Sequence, residues 1–169
     1  MIMNDFFEKT LEDIIFEKRN TIDEKGLNVF YKNSMRQVYL PCGKKIDILT
    51  WEIDNDTIYA RIIEIKREKI DEKAFWQSVE YYSELLAALG GYFKEYNLEI
   101  VLIGTGCNQN VKGAQHISNI VRVFEYRYGF DGIVFVENGT SYKNTMSLVK
   151  KFLPDEDSIP LIEKLKLIS

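Results

Sequence analysis

Histidine is almost absent: the 169-residue chain contains one, His116. That leaves no second imidazole for a His-based zinc site. A Ser-His-Asp arrangement would rest on this one residue, and no Gly-x-Ser-x-Gly elbow accompanies it. Cysteine is nearly as scarce. Cys42 and Cys107 lie far apart with no Cys-x-x-Cys, which excludes a cysteine-rich metal site and favours two reduced thiols over a disulfide. No apolar run approaches the roughly 18 residues of a spanning helix. The N-terminus opens on acids rather than on a basic-then-apolar leader. A cytoplasmic protein without a membrane partner is therefore expected. What is present is ordinary for a globular domain, with 46% hydrophobic and 28% charged residues. The net charge of −4 argues at first against nucleic acid. Its distribution weakens that argument. Residues 1–17 hold five acids (Asp5, Glu8, Glu12, Asp13, Glu17) against Lys9, and the remaining 21 bases and 21 acids cancel.

One domain is expected over residues 1–169, with a core at about 4–136 and a C-terminal extension at 137–169. Asn4 reads as the N-cap of a first helix carrying Phe7, Leu11, Ile14 and Ile15 at helical spacing and fading near Asn20. A strand-like stretch runs from Leu27 to Leu40, followed by a turn at Pro41-Cys42-Gly43. Two β-rich runs, 45–53 and 57–66, flank Asp54-Asn55-Asp56. Asp71 opens a long amphipathic helix that stops at Gly90-Gly91. Strands are expected at 98–105, 120–126 and 132–136, a turn at Asn138-Gly139, and a terminal helix capped by Ser158. The order is that of an α/β protein whose mixed sheet is flanked by helices.

The informative step is to pair residues 45–66 as a hairpin around a two-residue loop at Asn55-Asp56. Ile53 then faces Ile58, Trp51 faces Ala60, and Leu49 faces Ile62. The alternate face pairs Ile48 with Ile63 and Ile46 with Ile65. A one-residue slip scrambles these apolar pairs, so the pattern selects this register. The same register and face carry Asp47 opposite Glu64. Directly opposed Cβ atoms lie about 4.5–5.5 Å apart, and two carboxylates that close repel unless something positive sits between them. Lys66 stands two residues beyond Glu64, on its face. Two oxygen ligands with room for water suit Mg²⁺ or Mn²⁺. A lysine beside such an ion can position or deprotonate an attacking water and offset phosphate charge. On the following helix, Gln77 and Tyr81 share a face four residues apart, within reach of this ledge.

Asp47, then Glu64-Ile65-Lys66, then Gln77-Ser78-Val79-Glu80-Tyr81 resembles the PD-(D/E)xK nuclease superfamily, and the Gln-x-x-x-Tyr element is typical of its RecB-type branch. Glu8-x-x-Leu11 with Ile14-Ile15, then Gly26-Leu27 and Arg36-Gln37, is similar to the endonuclease-S-type mismatch nucleases. The resemblance spans roughly residues 8–81. One departure is plain: Ile46, not proline, precedes Asp47. The resemblance implies a restriction-endonuclease-like core in αβββαβ order and metal-assisted hydrolysis of DNA by endonucleolytic action, in repair or defence. It implies that Asp47, Glu64 and the Ile65 carbonyl hold Mg²⁺ or Mn²⁺, and that Lys66 activates water. Gln77 and Tyr81 would steady Lys66 and the scissile phosphate, and Glu8, with Glu12 as its rival, would support the metal. A homodimer is a further expectation, since a minimal core often needs a second copy to clasp a duplex.

Several residues keep two readings. Arg67, Lys69 and Lys73 bracket the site with Lys66 and suit DNA backbone, yet Glu68, Asp71 and Glu72 interleave with them as on a solvated face. Arg36 reads equally as a phosphate contact or a strand-face ion pair. Glu8 reads equally as a metal support or as an acid favoured in a first helical turn. Gly104-Thr105-Gly106 reads as a turn, because no lysine follows at the spacing of a phosphate loop. Tyr126 and Tyr128 read as strand packing rather than base stacking. The alternative to a nuclease is a catalytically inactive nuclease-fold module that binds nucleic acid or a protein partner. RNA is the other candidate substrate. With the acidic excess in the first helix, DNA binding is expected to be weak without a divalent ion.

Overall fold

The computed structural model describes residues 2–24, 27–111, 120–129 and 132–138. The expectations for His116, the Asn138-Gly139 turn, the Ser158-capped helix and the extension beyond residue 138 lie outside them. The elements in chain order are α1 (Ile2–Glu17), α2 (Arg19–Glu24), β1 (Asn33–Tyr39), β2 (Lys45–Asp54), β3 (Thr57–Ile65), α3 (Glu72–Leu89), β4 (Glu95–Gly104), β5 (Val121–Gly129) and β6 (Gly132–Asn138). Among the described residues the strands form one sheet in sequence order. β1, β2 and β3 run antiparallel, β3, β4 and β5 run parallel, and β6 returns antiparallel to β5. A mixed sheet flanked by helices, reached in the order α, three strands, α, strand, is the α/β architecture expected of a restriction-endonuclease-like core.

The helices cover opposite faces. Leu11 and Ile15 of α1, with Ile22, Leu27 and Val29, pack on Ile48, Ile63, Ile65, Val101, Ile103 and Phe124. On the other side Ala74 and Phe75 of α3 meet Ile100, Leu102, Val121 and Val123. Tyr81 and Leu85, farther along α3, meet Leu40, Ile46 and Ile62. The central run Ile100–Ile103 is buried on both sides, as a parallel strand between two helical layers must be. Fully burying each such side chain contributes about 1.5–3 kcal/mol, which is why hydrophobic pattern outranks propensity here. Asp71 caps α3 as expected, its Oδ1 accepting from the Ala74 N–H at 2.8 Å. The buried stripe Ala74, Phe75, Ser78, Tyr81 and Leu85 follows the helical period.

Several boundaries differ from expectation, among them the ends of β5 and β6, which run to Gly129 and Asn138 rather than to 126 and 136. α1 begins at Ile2, so Asn4 lies inside the helix rather than capping it, and the helix breaks at Lys18 before α2 resumes. The stretch from Leu27 to Leu40 is a strand only from Asn33. Its first part is irregular because Asn28 has φ +43° and side chains take the backbone bonds a neighbouring strand would make. The Thr50 hydroxyl accepts from the Tyr31 N–H at 2.7 Å, and Arg61 donates to the Val29 carbonyl at 2.8 Å. β4 starts at Glu95, three residues before the expected position, where parallel pairing with Thr57 begins.

Candidate active site

The β2–β3 ladder has the expected register, with Ile53 on Ile58, Trp51 on Ala60, Leu49 on Ile62 and Ile48 on Ile63, and it stops there. Beyond it the strands open, so Asp47 and Glu64 form no backbone pair. Their carboxylates fill the gap instead. Glu64 Oε1 accepts from the Asp47 N–H at 3.1 Å, and Asp47 Oδ2 accepts from the Ile65 N–H at 2.9 Å. Each acid thus commits one oxygen to the opposite strand. The expected pairing of Ile46 with Ile65 does not form. Ile46 packs with Ile62 on the α3 side and Ile65 with Ile63 on the α1 side, because β2 changes facing at Asp47.

Glu64 is 4% exposed. Burial, then the Asp47 charge, hold its carboxyl well above the ordinary range. Asp47 is raised as well, first by burial and then, against the pull of the Ile65 N–H, by Glu12 and Glu8. The Lys66 ammonium lowers both, without offsetting the burial. A buried and a half-buried acid that both resist ionisation are completed by a proton or by a cation. Among the described residues no three His, Cys, Asp or Glu side chains converge on one point, so the side-chain donors are the two carboxylates, and the Ile65 carbonyl is the further donor that the family resemblance implies. An all-oxygen set with few protein ligands fits a hard ion that keeps several waters, Mg²⁺ or Mn²⁺, and not zinc.

Lys66 follows β3 directly, its N–H donating to the Ile103 carbonyl at 2.7 Å. The chain from Lys66 to Ile70 continues alongside the end of β4. Thr105 donates to the Glu68 carbonyl at 3.1 Å, Ile70 donates to the Gly106 carbonyl at 2.8 Å, and Asn108 donates to the Ile70 carbonyl at 3.0 Å. Gly104 permits this approach, because a Cβ there would stand 2.6 Å from the Glu68 carbonyl oxygen. Gly104-Thr105-Gly106 is therefore a clamp on the loop that carries the basic residues. Tyr126 holds the same loop from β5, its hydroxyl donating to the Arg67 carbonyl at 2.7 Å. Glu8 holds it from α1, accepting from the Arg67 N–H at 3.1 Å.

Two clefts meet at Glu8. One, of about 420 Å³, is lined by Lys66, Arg67, Lys69, Lys73 and Gln77 as well as Glu68 and Asp71. Arg67, Lys69 and Lys73 thus converge with Lys66 and Gln77, whereas Arg36 does not. The other, of about 390 Å³, contains Asp47 with Glu12, Arg36, Gln37, Lys9 and Lys45. Tyr81 lines neither. It is buried beside Ile46 and Ile62, and burial together with the nearby Glu64 and Asp47 charges pushes its hydroxyl up to about 12. The phenol therefore keeps its proton at neutral pH. Arg36 is ion-paired to Glu12 at 3.1 Å and to Asp13. Glu12 also accepts from Gln37 at 2.7 Å. Of the two helix-1 acids, Glu12 is engaged by β1 and Glu8 by the loop after Lys66. Sequence reasoning passed over Gln37 and Gly104 as site residues. Gly104 was legible as a glycine ending a strand, but no residue type announces the conformation of Gln37.

No family model and no curated protein sequence matches the chain. Among solved structures it is similar to a repair endonuclease from Pyrococcus abyssi, with 20% identity and a TM-score of 0.49 over 66% of this chain and 43% of that one. It is also similar to the protein of the EndoMS–dsDNA2 complex, with 15% identity and a TM-score of 0.44 over 64% of this chain and 44% of that one. The chain thus matches less than half the length of either.

Proposed function

We propose that this chain is a Mg²⁺- or Mn²⁺-dependent nuclease of the PD-(D/E)xK type that hydrolyses DNA phosphodiester bonds, acting as an endonuclease. The observation that carries the proposal is the pair of half-buried Asp47 and buried Glu64, each bound to the opposite strand where the β2–β3 ladder opens, with Lys66 lining a cleft beside Arg67, Lys69 and Lys73. Asp47, Glu64 and the Ile65 carbonyl would hold the ion, which supplies neutralisation of charge at the scissile phosphate. Lys66, as the ammonium that favours both carboxylates, would orient the attacking water and offset charge on the scissile phosphate. Gln77, lining the same cleft, orients the phosphate or the lysine. Tyr81, buried beneath the acids, supplies a protonated hydroxyl and fixes their setting. Glu8 steadies the Arg67 backbone and through it the loop. Arg67, Lys69 and Lys73 meet the DNA backbone as point charges, while Arg36 braces α1 against β1.

The test is cleavage of single- and double-stranded DNA, with matched RNA, in the presence of Mg²⁺ or Mn²⁺. DNA cleavage that requires the ion and disappears in folded Asp47→Asn is expected. A folded wild-type protein that cuts none of these substrates with either ion would overturn the proposal.

A further inference from the structure

Side chains two apart in a strand share a face. β2 breaks this rule at one place: Ile48 packs with Leu11 and Ile15 on the α1 side, whereas Ile46 packs with Tyr81 and Leu85 on the α3 side. β1 breaks it at the matching place. Arg36 reaches Glu12 and Asp13 of α1, while Val38 packs on the α3 side. The ladder between the strands runs through Arg36 on Ile48 and Val38 on Ile46, and the position between them, Gln37 opposite Asp47, forms no pair. Gln37 has φ +52°, a left-handed conformation that a residue bearing a Cβ adopts only at a cost. Such strain persists where surrounding structure imposes it and concentrates at functional positions. Here Gln37 Nε2 donates to buried Glu12 at 2.7 Å, which fastens the strained residue to α1.

We infer that Gln37 is a positioning residue for Asp47: its left-handed backbone inverts the facing of β1 and β2 and turns the Asp47 carboxylate onto the Ile65 N–H. Regular alternation would leave Asp47 on the α3 side with Leu49, which packs there with Ile62. The inversion brings it instead to the cleft containing Glu8 and Glu12, across the strand edge from Glu64. The purpose of this arrangement rests on the metal site proposed above, but its geometry does not.

Nuclear magnetic resonance of the wild-type protein reads the sign of the Gln37 φ angle from the HN–Hα coupling and the carbon shifts, and a negative φ overturns the inference before any variant is made. Gln37→Gly favours the left-handed backbone; Gln37→Val, being β-branched, opposes it. The glycine variant is expected to keep the slow exchange of the Ile65 amide and Mn²⁺ affinity within about threefold of wild type. The valine variant is expected to speed that exchange and weaken Mn²⁺ binding by at least about tenfold each. Leu98→Ala, in the cluster at the far end of the sheet, should lower the melting temperature and leave Mn²⁺ affinity unchanged, which separates positioning from general destabilisation. Wild-type exchange in the valine variant, or equal impairment of the glycine variant, would overturn the inference. A wild-type protein that binds no Mn²⁺ removes the metal reading alone, because the Gln37 angle and the Ile65 exchange still decide this one.

Discussion

Asp47 and Glu64 are each costly to bury, and each raises the cost of ionising the other. For a carboxyl whose folded pKa is raised, the folded state binds more protons than the unfolded state between the ordinary and the raised value. The stability from that proton is complete below the ordinary carboxylate range and is lost as pH climbs through the raised pKa. The metal-free protein should therefore lose melting temperature as pH climbs above the ordinary carboxylate range, and Glu64→Gln should flatten this slope. Mn²⁺, which replaces the proton, should raise the wild-type melting temperature more at the upper pH than at the lower. Thermal scans across pH, with and without the ion, check all three. Lys66 is the opposing charge. Lys66→Ala should lower DNA cleavage by about 10²–10⁴-fold while Mn²⁺ binding persists, and the activity profile should move to higher pH because a cation that lowers both acids is gone. Single-turnover rates against pH measure it.

At the level of elements, the site depends on where pairing stops and where loops are clamped. Asp71 orients the first turn of α3, and Asp71→Ala should cost about 1 kcal/mol in urea denaturation while leaving the register of β2 and β3 intact. Gly104→Ala should cost about 1–3 kcal/mol, since the added methyl meets the Glu68 carbonyl and the Ile70 side chain. It should also weaken DNA binding, because Arg67 and Lys69 ride on the displaced loop; denaturation and binding titrations together separate the two effects. The hairpin and α3 were readable from the sequence because their signals are local: alternating apolar pairs around a two-residue turn, and an Asp cap before a helical stripe. The irregular stretch before β1 was not, since Leu27 and Val29 look like strand residues and only the Thr50 hydroxyl and the Arg61 guanidinium, distant in sequence, show which bonds their backbone neighbourhood makes.

For the whole molecule, a net charge of −4 coexists with a cleft that gathers Lys66, Arg67, Lys69 and Lys73. Affinity for DNA should fall linearly with the logarithm of salt concentration. Replacing Lys69 and Lys73 together by alanine should reduce that slope by about one to two units, measured by fluorescence anisotropy over a salt series with an ion that supports binding without turnover. The sequence by itself determined the α/β class, the hairpin register and the candidates Asp47, Glu64, Lys66, Gln77 and Tyr81, because hydrophobic period, turn chemistry and spacing act over a few residues. Only the tertiary structure decided that Glu8 holds the loop after Lys66 while Glu12 is taken by Arg36 and Gln37. It alone decided that Tyr81 is buried and that Asp47 meets Glu64 across an opened strand edge rather than on one sheet face. These outcomes depend on contacts between α1, β1 and the end of β4, and no local pattern encodes a facing inversion that two strands must make together.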